Sequence, residues 1–323
     1  MSHLKFTDVI VATVLPFTDS GAIDWPSYRR VLEYCATPDG IGAVFPNGHA
    51  GEGSALSAKE RARVIEVTRN FVGPDMPLLA GVIAYSTAEA ITQARDAKSA
   101  GADVAVLFPL PAFAAGGTRT SAAPLAYVDA VLEGADVPVG IFQFALASGL
   151  GYTTETLVAM AKRPGVLLIK EGSGTVQAYE DNWRQVKSAA PEVAIFPTNF
   201  DWFLAQVAIG ADGILSGLAS LTPHLLIDLW RATEARDLDR MRAVNDALYP
   251  VVRTIYGASP LMDMHTRIKA GLAHLGVIES ARPRPPLLPV SDETAAAVAK
   301  IVDGAGLARH TARAPEARRK RAS

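Results

Sequence analysis

Eight short, continuous apolar runs recur along the chain, and each is followed by a stretch in which apolar residues return at helical spacing. Short continuous runs are typical of strands that are buried on both faces, which is the pattern of a parallel sheet. The predicted strands cover residues 9–15, 42–45, 78–83, 103–108, 139–144, 166–170, 193–197 and 213–216.

The helical stretches carry start signals. Ser57 with Glu60 three residues later predicts a capping box, in which the serine and glutamate side chains each bond the other's backbone N–H. Ser86 and Glu89 repeat this spacing, and Pro223 is placed at a first helical position. These signals predict that helices follow the strands.

Strand and helix alternate eight times over the first 225 residues, as an α/β fold of the (β/α)8 TIM barrel type requires. A doubly wound open sheet is the alternative. The first strand–turn, residues 15–19, has no glycine-rich dinucleotide fingerprint, which favours the barrel.

The strand pattern stops near residue 225. Helical patterns cover 225–235, 238–256, 260–275 and 291–302, and the proline-rich segment 282–289 cannot be helical. The prediction is a barrel over residues 1–225, a C-terminal helical annex over 226–303 and a disordered basic tail over 304–323. A nucleic-acid-binding arm is the weaker interpretation of that tail.

The composition indicates which partners, disulfides and cellular location to expect. The 323 residues carry 31 Lys+Arg and 33 Asp+Glu, a net charge of −2, and this balance predicts neither nucleic acid nor a membrane as partner. The single cysteine, Cys35, excludes an intrachain disulfide. The N-terminus lacks the apolar stretch of a signal peptide, and no apolar run could cross a bilayer, so we expect a cytoplasmic protein.

Lys170 is the most informative single residue. It ends the apolar run 166–169, and in a (β/α)8 barrel the reactive groups lie at the C-terminal ends of strands. A lysine among apolar neighbours has a lowered pKa, so its amine could attack a carbonyl and form a Schiff base. The alternative is an ordinary solvated lysine at a strand end.

The loop after the second predicted strand, residues 46–57, is rich in glycine, and its consecutive N–H groups could hold a carboxylate. His49 in this loop is either an acid–base group or a structural histidine. We expect Glu52 to orient the loop by accepting backbone N–H bonds rather than to act in catalysis.

Together these features resemble the dihydrodipicolinate synthase / N-acetylneuraminate lyase family of Schiff-base aldolases, over roughly residues 5–302. Residues 48–57 are similar to the family's carboxylate-binding loop, and residues 169–174 resemble its Schiff-base strand. Residues 210–216 resemble its eighth-strand motif, and residues 284–289 a segment near its C-terminus. The resemblance implies that Lys170 is the catalytic lysine, and we expect His49 to be catalytic as a replacement proton shuttle. The resemblance also implies a substrate-binding set of Gly48, Ala50, Phe142, Ser173, Leu215 and Ser216.

The chain departs from the family pattern at several positions, so we expect a divergent member. Phe142 occupies the position of the catalytic tyrosine, and Ala50 that of a loop threonine. Ala147 falls where the synthases carry the arginine that holds the aldehyde substrate's carboxylate. These departures predict that the protein is not a true dihydrodipicolinate synthase.

We therefore expect a lyase that binds a 2-oxo acid through a Lys170 imine and then performs either aldol cleavage or dehydration. A non-catalytic ligand-binding or regulatory paralogue is the alternative. Candidates for the missing proton shuttle are His49, preferred because its ordinary pKa lies nearest neutrality, and Tyr152, Ser173 and Ser216.

The loops around residues 108–117 and 142–152 carry no clear arginine apart from Arg119, which predicts a weakly charged or apolar substrate tail. No cofactor is expected, and the histidines, among them His265, show no metal-ligand spacing. The family resemblance implies a homodimer or homotetramer.

Overall fold

The computed structural model describes residue 4, residues 6–198 and residues 202–307. The strands are β1 Val9–Ala12, β2 Ile41–Phe45, β3 Leu79–Val82, β4 Val104–Leu107, β5 Val139–Gln143, β6 Val166–Glu171, β7 Ala194–Pro197 and β8 Ile214–Ser216. The helices are α1 Trp25–Cys35, α2 Ala58–Val72, α3 Thr87–Ser99, α4 Ala122–Ala135, α5 Thr154–Ala161, α6 Val176–Ala189, α7 Phe203–Ile209, α8 Pro223–Glu234, α9 Leu238–Ile255, α10 Met264–His274 and α11 Asp292–Gly304.

All the strand pairings are parallel, in the orders β2-β1-β8 and β3-β4-β5-β6-β7. Two short backbone links close these sheets into a barrel. Val44 bridges to Leu78 between β2 and β3, and the Asp212 N–H donates to the Ile195 carbonyl between β7 and β8. The predicted (β/α)8 barrel is confirmed.

Each predicted strand lies on an observed one, and most ends agree within two residues. The largest difference is at β1, which ends at Ala12 rather than at Leu15. The backbone there leaves the sheet, because the Val14 N–H donates to the Ser220 hydroxyl at 3.2 Å instead of to a neighbouring strand. Residues 13–15 remain buried, which is why they look like strand in the sequence.

The helix-start predictions hold with one correction. Ser57 and Glu60 form the complete capping box at α2, and α8 begins at Pro223. Ser86 caps α3 as expected, but the Glu89 carboxylate accepts the N–H of Tyr85 at 2.8 Å rather than that of Ser86. The glutamate therefore bonds one residue further back than the capping-box pattern predicts.

Helices α9, α10 and α11 account for the predicted helical segments after the barrel, and residues 281–290 between the last two form no helix. The predicted boundary at residue 225 falls inside α8, and the division into barrel and annex stays a prediction. Residues 308–323 of the predicted basic tail lie outside the described residues. None of the described helices is long and apolar enough to cross a membrane.

Candidate active site

Lys170 lies near the C-terminal end of β6, and only 5% of it is exposed. Its Nζ makes no hydrogen bond or ion pair with any residue that the structure describes; it lies 4.0 Å from the centre of the Phe142 ring and 5.5 Å from that of Phe45. Burial lowers the pKa of this amine from 10.5 to about 7. A large share of the Lys170 side chains is therefore neutral, and nucleophilic, at neutral pH.

Four rings pack together beside Lys170, and we call His49, Phe108, Phe142 and Phe144 the aromatic cluster. The Phe108 ring centre lies 4.8 Å from that of His49 and 4.9 Å from that of Phe142, both edge to face. Phe144 lies 4.3 Å from Phe142 in a tilted arrangement. The neighbours of the lysine are thus mainly apolar, and Phe142 brings no hydroxyl to them.

His49 lies close to Lys170, and its pKa in the folded protein differs from the near-neutral value of an ordinary histidine. Burial among the phenylalanines, and then the positive charge of Lys170, lower the pKa of His49 from 6.5 to about 3. The imidazole is neutral at pH 7, so it can exchange hydrogen bonds but is not a ready general acid. The sequence favours His49 as the proton shuttle because the ordinary pKa of histidine is near neutrality. That pKa does not apply to His49 in the folded protein.

The glycine-rich loop between β2 and α2 is tightly folded. The N–H of Gly53 donates to the carbonyl of Gly48, and the N–H of Glu52 to that of His49. A Cβ atom at Gly53 would lie 2.0 Å from the carbonyl oxygen of Asn47, so only glycine fits this fold.

The N–H groups of residues 48–51 donate no hydrogen bond within the described part of the chain. Consecutive unpaired N–H groups in a tight loop form a concave site for an anion. We call residues 48–51 the amide cradle.

Contacts from the C-terminal region hold the amide cradle in place. Glu52, which is 4% exposed and has a left-handed backbone, accepts from the Lys269 ammonium of α10 and from the Arg284 N–H at 2.8 Å. Arg284 in turn forms two hydrogen bonds to the Glu60 carboxylate, at 2.6 and 3.0 Å, and these lower the pKa of Glu60 to about 2. As expected from the sequence, Glu52 accepts a backbone N–H; the donor is Arg284, in the segment after α10, rather than a residue of the loop itself.

The other predicted site residues occupy different environments. Ser173 is buried just after β6, and Leu215 is fully buried in β8. The Ser216 hydroxyl accepts from the Leu218 N–H at 3.1 Å and lies 3.3 Å from the Tyr256 hydroxyl, so it has partners within the fold. Tyr152 belongs to a second apolar cluster with Leu157 of α5, and not to the one that contains Phe142.

Sequence reasoning missed His265, a residue in the first turn of α10. A methyl group placed on Gly217, just after β8, would lie 3.2 Å from the Ala50 Cβ and 3.4 Å from the His265 Nε2. The imidazole therefore lies beside the amide cradle. Its only sequence signal is the residue type, because it lies 95 positions after Lys170, in a segment without strand pattern.

Arg119, the arginine that the sequence offers for a substrate tail, is exposed. It borders an open cavity of about 720 Å³ with Thr118, Leu146, Gly149 and Thr153. No group of three or more His, Cys, Asp or Glu side chains that could hold a metal occurs among residues 4, 6–198 and 202–307.

The chain is similar in sequence and in fold to known proteins. Residues 5–305 match the model of the dihydrodipicolinate synthetase family. The 4-hydroxy-tetrahydrodipicolinate synthase of Kineococcus radiotolerans is 30% identical and covers 94% of both chains. That of Syntrophus aciditrophicus is 28% identical over 94% of this chain and 99% of its own. Among solved structures, the Escherichia coli K12 prophage protein YagE, of the same family and in complex with pyruvate, aligns with a TM-score of 0.84 at 22% identity, over 94% of this chain and 99% of its own.

Proposed function

The chain belongs to the dihydrodipicolinate synthetase family of aldolase-type lyases, and from that premise we propose that it acts on a 2-oxo acid through an imine on Lys170. The observation that carries the proposal is the buried, unpaired Lys170 amine, whose pKa lies near 7. A buried, unpaired lysine has no partner to stabilise its charged form. The lack of a partner opposes folding, but it favours the neutral amine, which can attack a carbonyl.

The proposed chemistry uses two parts of the site. The Lys170 Nζ attacks the 2-oxo carbon, both amine protons pass to the carbonyl oxygen, and that oxygen leaves as water to give the imine. The unpaired N–H groups of His49 and Ala50 hold the adjoining carboxylate. The protonated imine accepts the electron pair released at C3. With a hydroxyl at C4, cleavage breaks the C3–C4 bond as that hydroxyl loses its proton, giving an aldehyde and an enamine that is then protonated at C3. Dehydration instead removes a proton from C3 and the C4 hydroxyl, which leaves as water.

We propose that this reaction is not dihydrodipicolinate synthesis, although relatives carry that name. Phe142 has no hydroxyl to transfer protons, and its ring packs against Phe108 and Phe144. Ala147, where the synthases resembled by this chain carry a substrate-binding arginine, offers no positive charge. Both differences remove groups that a charged aldehyde substrate would need.

The rate of imine formation is expected to depend on pH with a midpoint near 7. Below that pH Lys170 is an ammonium ion without a lone pair, so the rate should fall about tenfold per unit, and above it the rate should level off. Samples incubated with pyruvate at pH 5.5–9 and quenched into excess borohydride at one fixed pH would give the profile by intact mass. A rate that still rises about tenfold per unit between pH 8 and pH 9 would contradict the proposal.

A panel of 2-oxo acids is expected to show preference for one carboxylate and an apolar or weakly charged tail. The aromatic cluster gives an apolar surface beside Lys170, and the loops over residues 108–117 and 142–152 carry no arginine. Initial rates of turnover for mono- and dicarboxylic 2-oxo acids of equal length would measure the preference. Faster turnover of the dicarboxylates would contradict it, and adducts without any turnover would favour a non-catalytic paralogue.

The resemblance to the family also leads us to propose a homodimer or homotetramer. Analytical ultracentrifugation at micromolar concentration would test this, and a monomer at all concentrations would contradict it.

A further inference from the structure

His265 of α10 places an imidazole beside the amide cradle, on the other side of Gly217 from Ala50. Its ring is half-buried, and it makes no hydrogen bond to any residue in the described ranges. A single methyl group on Gly217 would fill the space between the imidazole and the Ala50 methyl. The ring is thus placed at the amide cradle without a partner of its own.

The charges around His265 point to an anion as its missing partner. Burial first, and then the positive charges of Lys170 and Lys269, lower the pKa of His265 well below 6.5, so the free imidazole is neutral. The buried Glu52 carboxylate is already bonded to Lys269 and to the Arg284 N–H, and that of Glu171 to Asn182. An incoming carboxylate would therefore meet donors that these acids do not occupy.

A further hydrogen-bond donor is needed beside the amide cradle because residue 50 is an alanine. Ala50 has no side-chain donor, so its residue offers a carboxylate only the backbone N–H. The His265 Nε2 lies across the Gly217 gap from the methyl of Ala50, within reach of a group bound there. The annex helix thus supplies a polar group at a point where the loop supplies none.

We propose that His265 donates a hydrogen bond to the substrate carboxylate in the amide cradle, so that the annex completes the binding site of the barrel. This inference rests on the proposed function, because it needs a 2-oxo acid bound as an imine on Lys170. The role is one of binding and specificity, and no bond to His265 forms or breaks.

The test is a saturation series of borohydride trapping, which separates binding from the amount of imine formed. For His265→Ala with pyruvate, the half-saturating concentration is expected to rise about tenfold or more, since a hydrogen bond to a charged group is lost. The amount of adduct at saturation should stay near that of the unmodified protein. His265→Gln keeps an N–H donor and should recover part of the affinity.

A neutral ketone distinguishes binding from damage to the fold. Acetone is pyruvate with a methyl group in place of the carboxylate, so its trapping should be the same in His265→Ala and in the unmodified protein. Gly217→Ala places a methyl group 3.2–3.4 Å from both Ala50 and His265, and it should weaken pyruvate trapping while retaining the imidazole. His224→Ala, at an exposed position of α8, is the matched control and should change nothing.

The outcomes separate the inference from the proposed function. No adduct in the unmodified protein with any 2-oxo acid would overturn the proposed function itself. An adduct in the unmodified protein, with the same half-saturating pyruvate concentration in His265→Ala, would overturn only the role of His265. An equal loss of acetone and pyruvate trapping would show a structural role and would also overturn it.

Discussion

Lys170→Met is expected to abolish adduct formation with every 2-oxo acid and to make the protein more stable. The amine is the only group proposed to form the imine, so the covalent step has no substitute. The buried lysine also opposes folding at neutral pH, because its pKa falls from 10.5 in the unfolded chain to about 7 in the fold. Removing that cost should raise the free energy of unfolding by about 2–4 kcal/mol at pH 7.

The pH dependence of this gain has a definite sign. Below pH 7 the lysine is protonated in both states and the folded state carries the full cost of the buried charge. Between pH 7 and 10.5 the unfolded state binds more protons, so the gain from Lys170→Met should shrink as pH rises. Urea unfolding at pH 7 and pH 10 would measure it. Lys162→Met, at an exposed lysine after α5, is the control; a loss of stability in Lys170→Met would contradict the account.

Glu52→Gln is expected to lower the free energy of unfolding by about 3–5 kcal/mol. The Glu52 and Lys269 side chains are 3% and 0% exposed, so the substitution leaves a buried ammonium without its counter-charge. A glutamine oxygen and the Arg282 carbonyl, which lies 3.3 Å from the Lys269 Nζ, could still accept hydrogen bonds, but both are uncharged. The amide cradle should also lose its shape. The pyruvate concentration that gives half-maximal borohydride trapping should therefore rise.

The exposed pair Arg29–Glu33 provides the comparison for that experiment. Its side chains are 72% and 41% exposed, so Glu33→Gln should change the free energy of unfolding by less than about 1 kcal/mol. Urea unfolding of both variants under the same conditions would test the difference. Equal, small effects would show that the buried pair does not hold the loop.

The barrel could be predicted from the sequence because its strands are continuous apolar runs at regular intervals. The error at β1 has a local cause, since the Val14 N–H bonds a serine side chain 206 residues away, and no local pattern reports such a partner. The burial of Lys170 could be predicted only in part from its position. Lys170 ends an apolar run, which also fits a solvated lysine at a strand end, and it is the resemblance of residues 169–174 to the family's Schiff-base strand that favours a reactive amine. The structure buries the side chain and lowers its pKa.

What could not be predicted depends on contacts between distant segments. Glu52 bonds Lys269 and Arg284, which lie 217 and 232 positions away, and no periodicity connects them. His265 reaches the amide cradle through the path of α10, which the sequence does not specify. The low pKa of His49 arises from its packing against Phe108 and Lys170, whereas the sequence supplies only the ordinary value of an isolated imidazole.

One measurement tests the central claim most directly, which is that Lys170 forms an imine with a 2-oxo acid. The unmodified protein is incubated with pyruvate and longer 2-oxo acids, reduced with borohydride, digested and sequenced by mass spectrometry. The account predicts one adduct, on the peptide that contains Lys170, with its mass equal to the acid minus one oxygen atom. A folded protein that forms no adduct with any acid, or forms it on another lysine, would contradict the account.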